Sequence, residues 1–279
     1  MTFSDPRCRP LPPGWEANIR AWLEFLAAGG AATTTRYTRR AAIARMARAV
    51  QKPPAEVSHD DLTSWMARQA WSRETRRSVQ VSMVLFWRWA TERNVTACNP
   101  AIGLPRVPVT PPAPRPLAED VYRQTVAVCQ EPMIELMIRL AGECGLRRAE
   151  IVQVHARDLT RGDDGWWIRV HGKGGRERAV PIMADLAVAC RTTAGGGWCF
   201  PGQIGGHMSP GWAGKLAARV LPTCTGLHTL RHRYATCIYR ATGDIVAVQQ
   251  LLGHSSLATT QRYVAIGDDR LRRAAAAAA

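Results

Sequence analysis

Apolar side chains recur at helical spacing through the first hundred residues. Trp15, Ile19, Trp22, Leu23 and Leu26 share one face of a helix that Gly29-Gly30 ends. A second helix, capped by Thr33 to Thr35, places Ile43, Met46, Ala47 and Val50 at the i, i+3, i+4 and i+7 positions. A third begins at Ser58, with Asp61 at the capping-box position. A fourth runs from Ser72 towards Arg93 through Val79, Met83, Phe86 and Ala90. From Leu104 to Pro116 the prolines at 105, 108, 111, 112, 114 and 116 prevent helix and disfavour sheet, which predicts an extended, semi-rigid connector.

Beyond the connector the pattern becomes mixed. An apolar helix is expected around Met133 to Leu140. A hairpin follows, in which Trp166-Trp167-Ile168-Arg169-Val170 and Arg178-Ala179-Val180-Pro181-Ile182 flank Gly172-Lys173-Gly174-Gly175. Helices then resume to the C-terminus, where the alanine run is low-complexity. The expected fold is mainly α with a small β-hairpin or sheet. It has a helical domain over 1–103, a Pro-rich linker over 104–116 and a mixed α/β domain over 117–279. At 279 residues, each domain is large enough to bury its own core.

Charge adds an anionic partner to this picture. The formal net charge is +15, with 17 Lys and Arg against 8 Asp and Glu up to Arg115, and 20 against 14 from Pro116 onward. The nets of +9 and +6 make both domains basic, which suits two halves held against a polyanion better than a neutral enzyme with one basic tail. DNA, RNA and acidic membrane surfaces all satisfy charge alone. Arg36, Arg39 and Arg40 on the second helix, and Arg73, Arg76 and Arg77 on the fourth, are the candidate phosphate contacts. A solvated charged face is about as probable for any one of these helices taken singly.

The eight cysteines are scattered, with no CxxC and no Cys/His cluster at zinc-ligand spacing, and read as reduced thiols. Pro and Arg stand where a secretory apolar region would lie, and no apolar run reaches membrane-spanning length. The expectation is a cytoplasmic, nucleoid-associated protein of a prokaryote or its phage or mobile element, with no membrane partner.

Four segments after the linker concentrate Arg, Lys, His and Tyr. In Cys144-Gly145-Leu146-Arg147-Arg148-Ala149-Glu150-Ile151, Arg147 and Glu150 stand at i, i+3, where a carboxylate can hold a guanidinium or imidazole. Lys173 occupies the Gly-rich turn, where a flexible stem can deliver a proton and glycines permit close approach. In His228-Thr229-Leu230-Arg231-His232, an imidazole and a guanidinium stand one helical turn apart. In Leu252-Gly253-His254 through Thr259-Thr260-Gln261-Arg262-Tyr263, Gly253 ends a helix, His254 sits in the turn and Tyr263 lies on the next short helix. Alone, each segment also fits an ordinary ion pair, a solvated turn or a surface helix.

Together and in this order, the segments resemble the tyrosine recombinase (phage integrase) family. Its GLRxxE arginine, hairpin lysine, HxLRH, LGH and late tyrosine are matched by Arg147, Lys173, His228, Arg231, His254 and Tyr263. Asn99-Pro100-Ala101 is similar to the family's interdomain junction. The resemblance implies a helical core-binding domain before a catalytic domain, in the simpler Xer-type layout. It also implies site-specific recombination of double-stranded DNA through a 3′-phosphotyrosyl intermediate on Tyr263.

In those roles Arg147 and Arg231 clamp the scissile phosphate and His254 donates a further hydrogen bond. His228 assists proton transfer, Lys173 is the general acid and Glu150 supports the others. Two arginines then stand where many nucleases use metal ions, so neither a metal, another cofactor nor ATP is expected. The family further implies a homotetramer on two synapsed sites and exchange of a C-terminal segment, for which only Val264 to Ala279 remain. Two alternatives stay open: relaxation of supercoils as by a type IB topoisomerase, and a catalytically silent DNA-binding regulator.

Overall fold

The computed structural model describes residues 10–108, 115–172, 174–254 and Thr260. The chain divides into two compact units, Met1–Thr110 and Pro111–Ala279.

The first unit is built from α1 (Trp15–Ala28), α2 (Thr33–Val50), α3 (His59–Ala67) and α4 (Arg73–Glu92). Its core is aromatic, with Trp15, Trp22, Phe86 and Trp87 fully buried beside Ile43, Met46, Leu62 and Met83. Trp15 stacks on Phe86 at 5.4 Å between centroids, and Trp22 meets the same ring edge-on at 5.3 Å. Helix α3 has the expected capping box: Asp61 N–H donates to Ser58 Oγ (3.1 Å), and Ser58 N–H donates back to Asp61 Oδ2 (2.9 Å). Ser72 likewise caps α4 by accepting from Thr75 N–H. Helix α2 departs from expectation. It starts at Thr33 after Ala32, and no threonine side chain caps it. Thr38 Oγ1 instead donates to the Thr34 carbonyl within the helix.

The connector does not begin as a free strand of chain. Ala101 and Leu104 are buried in the first core, and Gln80 Nε2 donates to the carbonyls of Leu104 and Pro105. The buried Leu104 anchors this stretch in the first core and Gln80 of α4 holds its carbonyls, which a reading of proline content alone does not reveal. Residues 109–114 lie outside the described part.

The second unit is organised around α6 (Pro132–Glu143), whose Ile134, Met137, Ile138, Leu140 and Ala141 are almost wholly buried. Around it lie α5 (Glu119–Val128), the short α7 (Arg148–Ile151), α8 (Ala184–Ala194), α9 (Pro210–Ala217), α10 (Leu227–Thr242) and α11 (Ile245–Leu252). The hairpin of β2 (Gly165–His171) and β3 (Glu177–Ile182) is joined by a strand the sequence pattern did not predict, β1 (Leu159–Gly162). Together they form an antiparallel sheet of order β1-β2-β3. A short segment, β4 (Pro201–Ile204), follows α8.

In register, Ile168 pairs with Leu159 and Val180, and Val170 with Arg178. Ile168, Val170, Val180 and Ile182 are buried, so period-2 alternation gives the sheet one inward face. At the turn end of the hairpin Gly172 N–H donates to the Arg176 carbonyl at 2.7 Å. Gly174 and Gly175 follow with φ of 76° and 74°, a left-handed geometry that glycine adopts without steric cost.

Candidate active site

Three of the site residues expected from the sequence, Arg147, Arg231 and His254, gather at a fourth, the buried carboxylate of Glu150. Arg147 does not lie inside a helix, as the i, i+3 spacing implied, but is the residue that begins α7, with Glu150 at the third helical position. Arg147 N–H donates to Glu150 Oε2 (2.8 Å), and its guanidinium Nη1 donates to Oε1 (2.7 Å). Glu150 therefore closes the helix start and holds the arginine side chain at once. Just before this pair Gly145, at φ 65°, turns the chain in the left-handed region. A Cβ at Gly145 would come within 2.4 Å of Tyr234 Cδ1, so this position is closed to any side chain.

Arg231 comes to the same carboxylate from the first turns of α10. It is fully buried, with Nη1 donating to the Gly145 carbonyl and standing 3.7 Å from Glu150 Oε2. Its Nη2 donates to the Leu252 carbonyl (2.7 Å) and to His254 Nε2 (3.0 Å). Burying a guanidinium is expensive unless it is paired and hydrogen-bonded; Glu150 supplies the opposite charge, and the two carbonyls and His254 take hydrogen bonds from Nη1 and Nη2.

His254 follows Gly253, which ends α11 in the left-handed region at φ 63°. The ring is buried, and its Nδ1 stands 3.0 Å from Thr260 Oγ1. A guanidinium can only donate, so Nε2 accepts from Arg231 and the ring proton sits on Nδ1, directed at the Thr260 hydroxyl. Burial, then the charges of Arg231, Arg147 and Arg178, push His254 down to about 3, keeping it neutral. In this structure His254 Nε2 receives a hydrogen bond from Arg231, whereas a hydrogen bond to phosphate requires it to donate.

Glu150 has the complementary state. Burial opposes its ionisation, but hydrogen bonds from Arg178, the nearby charges and the Arg147 backbone N–H outweigh that cost and hold it at about 2. Arg178 was not among the residues expected from sequence. It donates from Nη1 and Nη2 to the two carboxylate oxygens of Glu150 (3.0 and 2.8 Å), and from Nε to the Leu251 carbonyl (2.8 Å). The signal that finds it is alternation: on β3, Arg178 shares the face of buried Val180 and Ile182, and an inward arginine requires a buried carboxylate.

His228, at the start of α10, stacks edge-on against His232 at 4.8 Å. Although exposed overall, its imidazole is held below the ordinary histidine value, first by loss of surrounding water and then by Arg231 and Arg147. Arg233 in the same motif faces away from the site. It pairs with Glu119, donates to the Gly142 carbonyl and lies 3.8 Å over the Tyr122 ring, fastening α10 to α5 and α6. Lys173 and Tyr263 lie outside the described residues.

The six arginines singled out in the first unit do not form one stripe. Arg39 and Arg77 border a cleft between α2 and α4 lined also by Thr34, Thr35, Thr38 and Ser78. Arg36 and Arg40, one turn apart, line a different cleft against α1, and Arg36 Nη2 donates to Thr33 Oγ1. Arg73 opens the first turn of α4. Arg76 donates to the carbonyls of Met66 (2.6 Å) and Gln69 (2.8 Å), closing the end of α3.

Comparison with known proteins agrees with this arrangement. The model of the phage integrase family matches residues 115–270. The tyrosine recombinase XerC of Rhodospirillum centenum is 37% identical over 233 residues, covering 75% of this chain and 67% of the relative. That of Chromobacterium violaceum is 29% identical over 279 residues, covering 91% and 92%. Among solved structures, the XerH site-specific recombinase bound to a palindromic difH substrate matches with a TM-score of 0.71 at 19% identity, over 88% of this chain and 80% of that one. A lambda integrase dimer bound to a COC′ core site matches with a TM-score of 0.71 at 17% identity, over 89% and 94%. Those two likenesses bear on the fold, which is the two-domain, mainly helical architecture with a small antiparallel sheet. A buried carboxylate gathering the GLRxxE and HxLRH arginines, within a matched segment spanning more than half of the sequence, makes this chain a member of the phage integrase family, the tyrosine recombinases of site-specific recombination.

Proposed function

We propose that this recombinase cuts and rejoins double-stranded DNA with Tyr263 as nucleophile and the Glu150-centred cluster as its phosphate site. The observation that carries the proposal is the convergence of Arg147, Arg231 and His254 on that cluster from three separate stretches of chain. Two guanidiniums brought to one carboxylate can neutralise charge that develops on the non-bridging oxygens during in-line displacement. The Tyr263 oxygen attacks phosphorus and the bond to the 5′ oxygen breaks. The phosphate stays on the tyrosine as a 3′-phosphotyrosyl ester, and Lys173 supplies the proton that the leaving hydroxyl takes. His228 assists removal of the tyrosine proton; its lowered pKa keeps the imidazole in its base form near neutral pH.

Attack by a 5′ hydroxyl reverses the step, so the bond energy is conserved and no ATP is consumed. The second unit is thus the catalytic domain and the first the core-type DNA-binding domain, with Arg39 and Arg77 its best-placed phosphate contacts. A homotetramer on two synapsed sites, acting at the nucleoid in the cytoplasm, completes the reading. Among the described residues no helix is long and apolar enough to cross a membrane.

The test is covalent capture. Wild-type chain and Tyr263→Phe are incubated in EDTA without ATP with nicked suicide duplexes drawn from a random-sequence pool. A denaturation-resistant protein–DNA adduct is expected from the wild type alone. Binding of the same duplexes without any adduct would favour a catalytically silent binder. Relaxation of a supercoiled plasmid without partner exchange would favour topoisomerase-like action.

A further inference from the structure

Arg178 links three parts of the second unit that the chemistry requires to stand in register. Through Nη1 and Nη2 it grips both oxygens of Glu150, the carboxylate that also binds Arg147 and lies beside Arg231. Through Nε it holds the Leu251 carbonyl at the end of α11, one residue before the Leu252 carbonyl that Arg231 grips. Its own backbone belongs to β3, paired with Val170 in the hairpin. Contacts to Gly253 are equally close. A Cβ there would lie 2.9 Å from Arg178 Cδ, so the guanidinium stem packs directly under the turn that presents His254.

We propose that Arg178 is a positioning residue for cleavage, which fixes Glu150 and the end of α11 so that Arg147 and Arg231 meet the scissile phosphate in the geometry that neutralises it. The inference rests on the reading of Arg147 and Arg231 as the phosphate clamp. Three arginines share one carboxylate; Arg231 is fully buried and its place in the clamp comes from the proposed function, while exposure and partners separate Arg147 from Arg178. The Arg147 side chain is 38% exposed and can reach a ligand, while that of Arg178 is 12% exposed, with its three donor nitrogens all engaged by protein acceptors. Arg178 therefore spends its hydrogen bonds on the site's framework. A lysine in its place retains the charge but presents a point donor, losing the two-pronged grip on Glu150 and the simultaneous bond to Leu251.

The test separates positioning from fold maintenance by changing the substrate's charge. Arg178→Lys, Arg231→Ala and wild type are compared in single-turnover cleavage of one nicked duplex, captured from a random pool by the wild-type chain. The scissile group is either the ordinary phosphate or an uncharged methylphosphonate, which removes the charge the arginines neutralise. Arg178→Lys is expected to lose on the order of 10- to 100-fold in cleavage rate on phosphate, the usual range for a group that orients another, with DNA binding retained. On methylphosphonate its deficit should shrink to about threefold or less, as should that of Arg231→Ala.

Cleavage of phosphate by Arg178→Lys at the wild-type rate overturns the proposal. So does a deficit equally large on both substrates while Arg231→Ala is rescued. Failure of Arg231→Ala to be rescued sinks the phosphate-clamp reading itself, a distinct result. Should Arg178→Lys not fold, Arg178→Gln, whose amide N–H can still donate to Glu150 while the two-pronged grip is lost, is read in the same way.

Discussion

Replacing Glu150 by glutamine removes the charge on which the whole cluster turns, and the cost follows from the structure. Glu150 is 4% exposed, and the guanidiniums of Arg147, Arg178 and Arg231 surround it. Its carboxyl is held at about 2 against an ordinary value of 4.5. That difference corresponds to roughly 3 kcal/mol of stability at pH 7, from about 1.4 kcal/mol per pKa unit. Since the folded-state pKa is depressed, the contribution is complete above pH ~4.5 to 5 and declines as the pH falls from there through about 2.

Glu150→Gln should therefore lower stability at pH 7 by about 3 kcal/mol, within the range measured when one partner of a buried ion pair is removed. In a unit of this size that is a fall of about 6 to 12 °C in Tm. Urea unfolding of both proteins, followed by tryptophan fluorescence from pH 7 down to pH 3, measures the difference directly. Near pH 3 the gap should narrow to about half, because wild type then loses part of its own carboxylate stabilisation. A gap below about 0.5 kcal/mol at pH 7, or one that does not narrow with acid, would refute the assignment of Glu150 as a buried anion bearing three cations.

His254 should remain neutral, with its proton on Nδ1, across the range in which free histidine titrates, because its folded-state pKa is pushed down to about 3. Nitrogen-detected NMR of the ring should show one tautomer unchanged from pH 8 to pH 5. Its stabilising contribution is present above the unfolded value near 6.5 and is lost as the pH falls towards 3; ring titration near pH 6 would contradict the Arg231–His254 geometry. In the first unit, Arg76→Ala should cost about 1 to 2 kcal/mol in thermal or urea unfolding, since two carbonyls at the end of α3 lose their donor. Arg77→Ala should leave stability within ~0.5 kcal/mol and reduce the salt dependence of duplex binding by about one charge; the reverse pattern would reassign the two residues.

Most of the fold was legible because local signals and packing agree. The apolar spacing of α1 and α4, the Ser58 and Ser72 caps and the glycines of the hairpin turn each act within a few residues of themselves, and a sequence displays that range. The motifs that hold Arg147, Glu150, His228, Arg231 and His254 are likewise contiguous stretches that a sequence displays. The third strand was missed because Leu159–Gly162 has one buried residue and gains its identity only by pairing with β2. The Thr33–Thr35 cap was misread because a threonine is equally at home inside a first turn.

What the sequence by itself determined is the two basic units, the helical pattern, the hairpin and the family. Tertiary structure alone decided which arginines touch one another. It turned Arg76 into a cap and Arg233 into a strut, brought Arg178 to Glu150 from 28 positions away, and made His254 an acceptor by placing it against Arg231. The physical reason is that a guanidinium carries the same charge everywhere along a chain, and only burial and the acceptors that surround it decide whether it holds the protein together or is left to meet a phosphate.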